Sequence, residues 1–170
     1  MQPLPLILDR IDSPLGEILY VGDRRQRTYA LDYSDCATRM QRLLTRYAPG
    51  HSLEAGKLAW ARNALQRYFD GDFAALTEIE WHGGGTSLQN AVWHELRRIP
   101  GGRTRSYSAV ALALGRPRAV RAVASANARN PIAIIVPCHR VISRDGSLAG
   151  YAGGLWRKEW LLRHEGAIPS

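Results

Sequence analysis

Five apolar residues, Ile132-Ala133-Ile134-Ile135-Val136, stand between Pro131 and Pro137 and run directly into Cys138-His139. No other stretch constrains the fold as tightly. The run is too short for a helix of its own and rich in β-branched residues, so a buried strand or extended segment is expected. Pro137 lacks the N–H that a ladder needs, which stops pairing there and delivers Cys138 rigidly at the end of a core element. A cysteine is the strongest soft nucleophile among side chains once a neighbour takes its proton, and His139 is one such neighbour. The dipeptide alone leaves the matter open, because free cysteines are among the most buried residues and many are inert.

A chain of 170 residues with 45% hydrophobic content can build one medium domain or two small ones. The triplet Gly83-Gly84-Gly85 has the composition of a linker, which divides an N-terminal α/β domain over residues 1–82 from a C-terminal domain over residues 83–170. Charge divides with it. Residues 1–85 carry 10 basic and 11 acidic side chains, net −1, whereas residues 86–170 carry 13 and 4, net +9. Between Glu95 and Asp145 there is no acid, while Arg97, Arg98, Arg103, Arg105, Arg116, Arg118, Arg121, Arg129, Arg140 and Arg144 fall inside that window. Such asymmetry points to a polyanion such as DNA or RNA, the bland alternative being an ordinary solvated face.

Cys36 and Cys138 make neither a disulfide framework nor a C-x-x-C spacing, and the histidines are scattered, so no metal or cofactor is expected and a reducing, cytoplasmic setting fits. No basic leader precedes an apolar stretch, and no apolar run approaches the ~18 residues a membrane span needs. A soluble protein without membrane contact is expected.

Residues 6–33 alternate apolar and polar positions with turn signals at Ser13-Pro14-Leu15-Gly16 and Gly22-Asp23, which predicts antiparallel strands. Residues 38–47 and 57–69 show helical spacing. Further on, Thr86-Ser87-Leu88-Gln89 has the form of a capping box opening a helix that Pro100-Gly101-Gly102 closes. Ser106 caps a short helix from Tyr107 to Leu114, stopped by Gly115, and Pro117 starts a third in its first turn, running through Ala126. Two short helices joined by a glycine-containing turn make a helix-turn-helix candidate. Its second helix offers Ala119, Ala122, Ala124, Ser125 and Ala126 and few residues able to read base edges. Those alanines either pack a core or let the backbone approach a groove while arginines hold phosphate.

The last helix, Trp156 to Glu165, ends at Gly166 and sets Leu161 and Glu165 on one face. An inward carboxylate requires a partner, and a histidine N–H is a natural one. Glu165, His139 and Cys138 then form a relay in which the carboxylate orients the imidazole and the imidazole takes the thiol proton, unless Glu165 merely frays at the helix end.

From Gly85 to Gly166, about half the chain, the sequence resembles the O6-alkylguanine-DNA alkyltransferase family, the methylated-DNA-protein-cysteine S-methyltransferases. The resemblance rests on Pro137-Cys138-His139-Arg140-Val141, Asn130-Pro131, Arg121-Ala122-Val123, Gly150-Tyr151-Ala152-Gly153-Gly154 and Lys158-Glu159-Trp160-Leu161-Leu162-Arg163-His164-Glu165-Gly166, with looser agreement at Ile11-Asp12-Ser13-Pro14-Leu15-Gly16. Leu88 stands where an aromatic is usual and Ser125 where glycine is common. The resemblance implies an α+β fold, with a small ribonuclease-H-like N-terminal domain and a mainly helical C-terminal one. It implies direct-reversal DNA repair, in which the alkyl group of O6-alkylguanine, with O4-alkylthymine as a second candidate, passes irreversibly to Cys138. The partner is double-stranded DNA containing alkylated guanine, bound by a chain that is a monomer in solution and a candidate for cooperative binding on DNA.

By the same resemblance His139 takes the thiol proton through a water, Glu165 orients it, and Asn130 braces the active-site turn. Tyr107 crowds the adjoining phosphate and protonates N3 of the leaving guanine. The carbonyls of Cys138 and Val141 accept from the guanine amino group, backbone N–H groups of Tyr151 and Ala152 donate to O6, and Gly153 belongs to the same wall. Arg121 fills the stack vacated by the flipped base. Arg118, Ala119, Ala122 and Ser125 line the minor-groove face. A lesion-binding relative without catalysis would lack Cys138, and a cysteine hydrolase gives no reason for the arginine window.

Overall fold

The computed structural model describes residues 2–170 and separates two compact units, one ending at Gly84 and the other beginning at Gly85. Helices and a mixed sheet make the fold α+β.

In the first unit β1 (Leu4–Ile11), β2 (Ile18–Gly22) and β3 (Arg27–Tyr33) form the expected antiparallel meander, with Ile11 opposite Ile18 and Ile18 opposite Tyr33. Helices α1 (Ala37–Tyr47) and α2 (Ala59–Phe69) fall where the periodicity places them, α1 burying Met40, Leu43, Leu44 and Tyr47. Two strands escape the sequence pattern. β4 (His51–Ala55) pairs parallel to β1 while mostly exposed, and β5 (Glu80–Trp81) is two residues long beside β3, giving the order β4-β1-β2-β3-β5. Edge strands need not alternate, because only one backbone edge is paired and one face is wet.

Two glycines of the triplet are each constrained within their own unit. Gly84 has φ +70°, and a Cβ there would collide with the Tyr47 carbonyl; a Cβ on Gly85 would lie 2.7 Å from the Trp93 ring. Close approach, rather than flexibility, demands glycine at both positions.

In the second unit Thr86 caps α3 (Ser87–Leu96) with both arms of the capping box in place. Val92, Trp93 and Leu96 are buried, and Trp93 Nε1 donates to the Ala126 carbonyl at 2.8 Å, joining α3 to α5. Ser106 caps α4 (Tyr107–Ala113), accepting from the Ala109 N–H. Helix α5 (Val120–Ala128) starts later than the sequence suggests. Pro117 lies in the turn before it, not in its first turn, because Gly115 at φ +70° redirects the chain and Arg116 N–H closes onto the Ala111 carbonyl. A two-strand parallel pairing of β6 (Arg105–Ser106) with β7 (Val141–Ile142) fixes the start of α4 beside the segment that follows Cys138.

The run Ile132–Val136 is buried throughout, but it is not a strand. Ile134 takes φ +69°, Val136 N–H closes onto the Ile132 carbonyl at 3.0 Å, and the segment folds into a compact turn. β-branched residues rarely adopt that conformation, so the surroundings must enforce it. Asn130 does so from inside the turn: its Oδ1 accepts from Ile132 N–H at 2.9 Å and its Nδ2 donates to the Val136 carbonyl at 2.7 Å.

Candidate active site

Cys138 opens a single 3-10 turn, Cys138–Arg140, in which all three residues are buried. From α6 (Leu155–His164) the chain presents Lys158, Leu161, Leu162 and, just past its end, Glu165 to the interior, at spacings of three, four and seven residues. Glu165 is 5% exposed and its side chain is fully covered. It accepts from His139 Nε2 at 2.9 Å and, on both oxygens, from Arg140 at 2.8 and 2.9 Å. Burial opposes ionisation of Glu165, but His139 and the Arg140 guanidinium outweigh it and hold the carboxyl far below the usual carboxylate range.

His139 is 0% exposed. Burial lowers its pKa from 6.5 against the attraction of Glu165, and the Arg140 and Lys158 charges push the same way. The ring is therefore neutral at physiological pH. Since a carboxylate only accepts, Nε2 carries the proton, and the lone pair sits on Nδ1. That nitrogen is buried without a hydrogen-bond partner.

Three residues of this site escape sequence reasoning. Arg140 was expected to face a polyanion; it is 7% exposed, clamps Glu165, and donates to the Ile99 carbonyl at 2.6 Å. The arginine window also loses Arg97, bound to the Ile135 carbonyl at 2.9 Å, and Arg105, paired with Glu95 at 2.8 Å, to internal roles. Lys158 is wholly buried and donates to the carbonyls of Val141 at 2.7 Å, Ala149 at 2.8 Å and Gly150 at 3.2 Å. Burial lowers its pKa to about 8, against the field of the Cys138 thiolate. The helical spacing that singles out Glu165 also singles out Lys158. Arg157, 6% exposed, donates to the Gly153 carbonyl at 3.0 Å with its guanidinium over the Trp156 ring, tying the glycine loop to α6.

Tyr107, at the first position of α4, donates to the same Ala149 carbonyl at 3.2 Å, and burial raises its pKa, as does the Cys138 charge. The strand β6, the turn, the Gly150–Gly154 loop and α6 thus converge on Cys138. Arg121 projects from the first turn of α5 and is exposed, as are Ala122 and Arg118; Ala119 is the N-cap of that helix, and the Ser125 hydroxyl is engaged by Arg129. These belong to the outer face of the helix-turn-helix rather than to the buried cluster. Among the described residues no helix is long and apolar enough to cross a membrane.

The fold and site together define a helix-turn-helix unit built around a buried cysteine, histidine and glutamate. Residues 87–167 match the model for the DNA-binding domain of 6-O-methylguanine DNA methyltransferase. The chain is 45% identical over 168 residues to a methylated-DNA–protein-cysteine methyltransferase of Salmonella typhimurium, spanning 97% of this chain and 98% of that protein, and 42% identical over 158 residues to one of Methanosarcina barkeri, spanning 92% and 95%. It superposes on Mycobacterium tuberculosis OGT in complex with DNA with a TM-score of 0.79 at 37% identity, covering 95% of this chain and 93% of that one. The chain belongs to the methylated-DNA–protein-cysteine methyltransferase family.

Proposed function

We propose that this chain carries out direct-reversal repair of double-stranded DNA, moving the alkyl group of O6-alkylguanine onto Sγ of its own Cys138. The observation that carries the reading is the bare, buried Nδ1 of His139, neutral and oriented through Nε2 by an ionised Glu165, in the residue next to the cysteine. That nitrogen takes the thiol proton through a bridging water. The thiolate attacks the sp³ carbon on O6 in line; the S–C bond forms as the C–O bond breaks, and its electrons pass to the guanine. Backbone N–H groups of Tyr151 and Ala152 stabilise O6, and the Tyr107 hydroxyl protonates N3. The buried Lys158 ammonium holds the Val141, Ala149 and Gly150 carbonyls in place and stabilises the thiolate it senses.

The product is a thioether, which has no carbonyl for water to attack, so each molecule acts once. DNA is held through the minor groove by α4 and α5, with Arg118, Ala119, Ala122 and Ser125 on the groove face and Arg121 in the stack left by the extruded base, while phosphate contacts supply most of the affinity.

Intact-mass measurement after mixing with duplex containing O6-methylguanine tests the reading. The protein gains the mass of one methylene, located on the peptide that holds Cys138. Cys138→Ala gains nothing and keeps its DNA affinity within about tenfold, because affinity arises away from the thiol. An unmodified wild type, or label elsewhere, would overturn the proposal.

A further inference from the structure

The loop Gly150–Gly154 carries the two N–H groups that the proposed function directs at O6, those of Tyr151 and Ala152. Three of its five residues are glycine, so the loop itself does little to hold its peptide planes. The hold comes from α6 and its N-cap. Lys158 Nζ donates to the Gly150 carbonyl at 3.2 Å, Gly154 N–H to the Tyr151 carbonyl at 2.9 Å, and Arg157 Nη1 to the Gly153 carbonyl at 3.0 Å. Arg157 is 6% exposed, and its guanidinium carbon lies 4.7 Å from the centre of the Trp156 ring.

A peptide is planar, and in its trans form the C=O and the following N–H point in opposite directions. Each carbonyl that is held therefore fixes the N–H behind it. With the Gly150 carbonyl on Lys158, Tyr151 N–H faces away from that lysine. With the Gly153 carbonyl on Arg157, Gly154 N–H faces away from Arg157 and lands on the Tyr151 carbonyl. That second bond orients the next plane, so Ala152 N–H faces away from Gly154. Ala152 is exposed and Gly153 buried, which puts the Ala152 side of the turn outward.

We infer that Arg157 is a positioning residue for transfer: it holds the Gly153 carbonyl and, through the Gly154 and Tyr151 peptides, aims the Ala152 N–H at O6 of the bound purine. This rests on the proposed function and adds to it the residue that keeps one leaving-group donor in place. Lys158 sets the other donor, at Tyr151, but it also stabilises the thiolate. Arg157 acts on the loop, so its loss separates leaving-group stabilisation from thiolate formation.

Single-turnover transfer from duplex O6-methylguanine is measured for wild type, Arg157→Met and Arg157→Lys, beside the rate at which iodoacetamide alkylates Cys138, followed on the peptide that holds it. Iodoacetamide needs the thiolate but no donor at O6, because iodide leaves without help. Removing an oxyanion donor outright costs about 10²–10³ in rate, and letting one drift costs less, so Arg157→Met slows transfer by about tenfold and leaves alkylation by iodoacetamide within about twofold. Arg157→Lys, which keeps a cationic donor, recovers most of the loss. Should the methionine variant fail to fold, Trp156→Ala, which removes a half-exposed ring from beside the guanidinium, slows transfer by about threefold with the same split. Equal slowing of both reactions would mean that Arg157 supports the site as a whole, and unchanged transfer by the folded variant would mean that the turn holds itself. A lysine variant as slow as the methionine one would show that the bond to Gly153 is not what Arg157 supplies. Each of these ends the inference and leaves the proposed function standing, whereas a wild type that transfers nothing overturns both.

Discussion

Each unit holds one thiol outside any disulfide and a buried carboxylate that arginine grips on both oxygens, Asp9 in the first and Glu165 in the second, yet the two sets are put to different use. In the first unit Asp9 accepts from Arg62 at 2.7 Å on both oxygens and from Leu58 N–H at 2.9 Å. Burial opposes its ionisation, but the Arg62 contact and the Leu58 N–H outweigh it and lower its pKa. The cluster ends there: arginine holds the carboxylate, and the carboxylate holds the start of α2 to β1. In the second unit the same grip leaves one position on Glu165 for His139, whose far nitrogen is bare. Arginine keeps the carboxylate charged; the carboxylate then sets the tautomer of a base. On the proposed function, an ion pair of this kind becomes part of a reactive site by gaining one imidazole, carried by the residue next to the thiol.

Removing the carboxylate charge from each cluster is the strongest way to break this comparison. Glu165→Gln leaves the Arg140 charge buried without a counterion, which costs roughly 3 kcal/mol of stability. It also frees His139 to take the wrong tautomer, so transfer per folded molecule falls by about a hundredfold. Asp9→Asn costs less, about 1 kcal/mol, because Arg62 is partly exposed and water replaces the lost partner. Its transfer rate per folded molecule is unchanged. Chemical denaturation and single-turnover assays on both variants decide it; equal loss of rate in the two would erase the distinction between structural and reactive clusters.

Acid should separate the units more gently. Burial holds His139 below its ordinary 6.5, so the unfolded chain binds a proton where the folded one does not. Its contribution to stability is complete above 6.5 and lost as pH falls from there towards the folded value. Glu165, lowered from 4.5, and Asp9, lowered from 3.8, begin to lose theirs only below those values. Between about pH 7 and about pH 5 only the second unit therefore weakens. Hydrogen exchange corrected for intrinsic rates should show protection falling in residues 136–142 and α6 while β1–β3 keep theirs. Unchanged protection in residues 136–142 and α6 would show that His139 already carries a proton when folded.

How much of this was legible in sequence depends on whether a residue's role is local. The capping box at Thr86 and Gln89, the meander over β1–β3 and the cap at Ser106 were readable because neighbouring residues determine them. The turn at Ile132–Val136 was not: its side chains favour a strand, and only the Asn130 clamp and burial impose φ +69° on Ile134. Cys138, His139 and Glu165 could be named from spacing and resemblance. Arg140 could not be separated from the surface cations, because a count of charge does not say which one a carboxylate has drawn inside, whereas the inward spacing of Lys158, Leu161 and Glu165 along α6 was there to be read.

The smallest effect is expected at the other thiol. Cys36 is half-buried, and its Sγ lies 3.9 Å from the carboxylate oxygen Asp35 Oδ1. Cys138 has the opposite surroundings, a neutral base in the next residue and the Lys158 ammonium close enough to feel its charge. Cys36→Ser should therefore accept one alkyl group per molecule at a rate within about twofold of wild type, since a substitution outside the reactive cluster leaves its geometry alone. A thiol-specific disulfide reagent sharpens the contrast: after exhaustive reaction with alkylated DNA the wild type retains one titratable thiol when unfolded, and Cys36→Ser none. A variant that takes up less than one group per molecule would show that Cys36 shares in the transfer and that the second unit does not act alone.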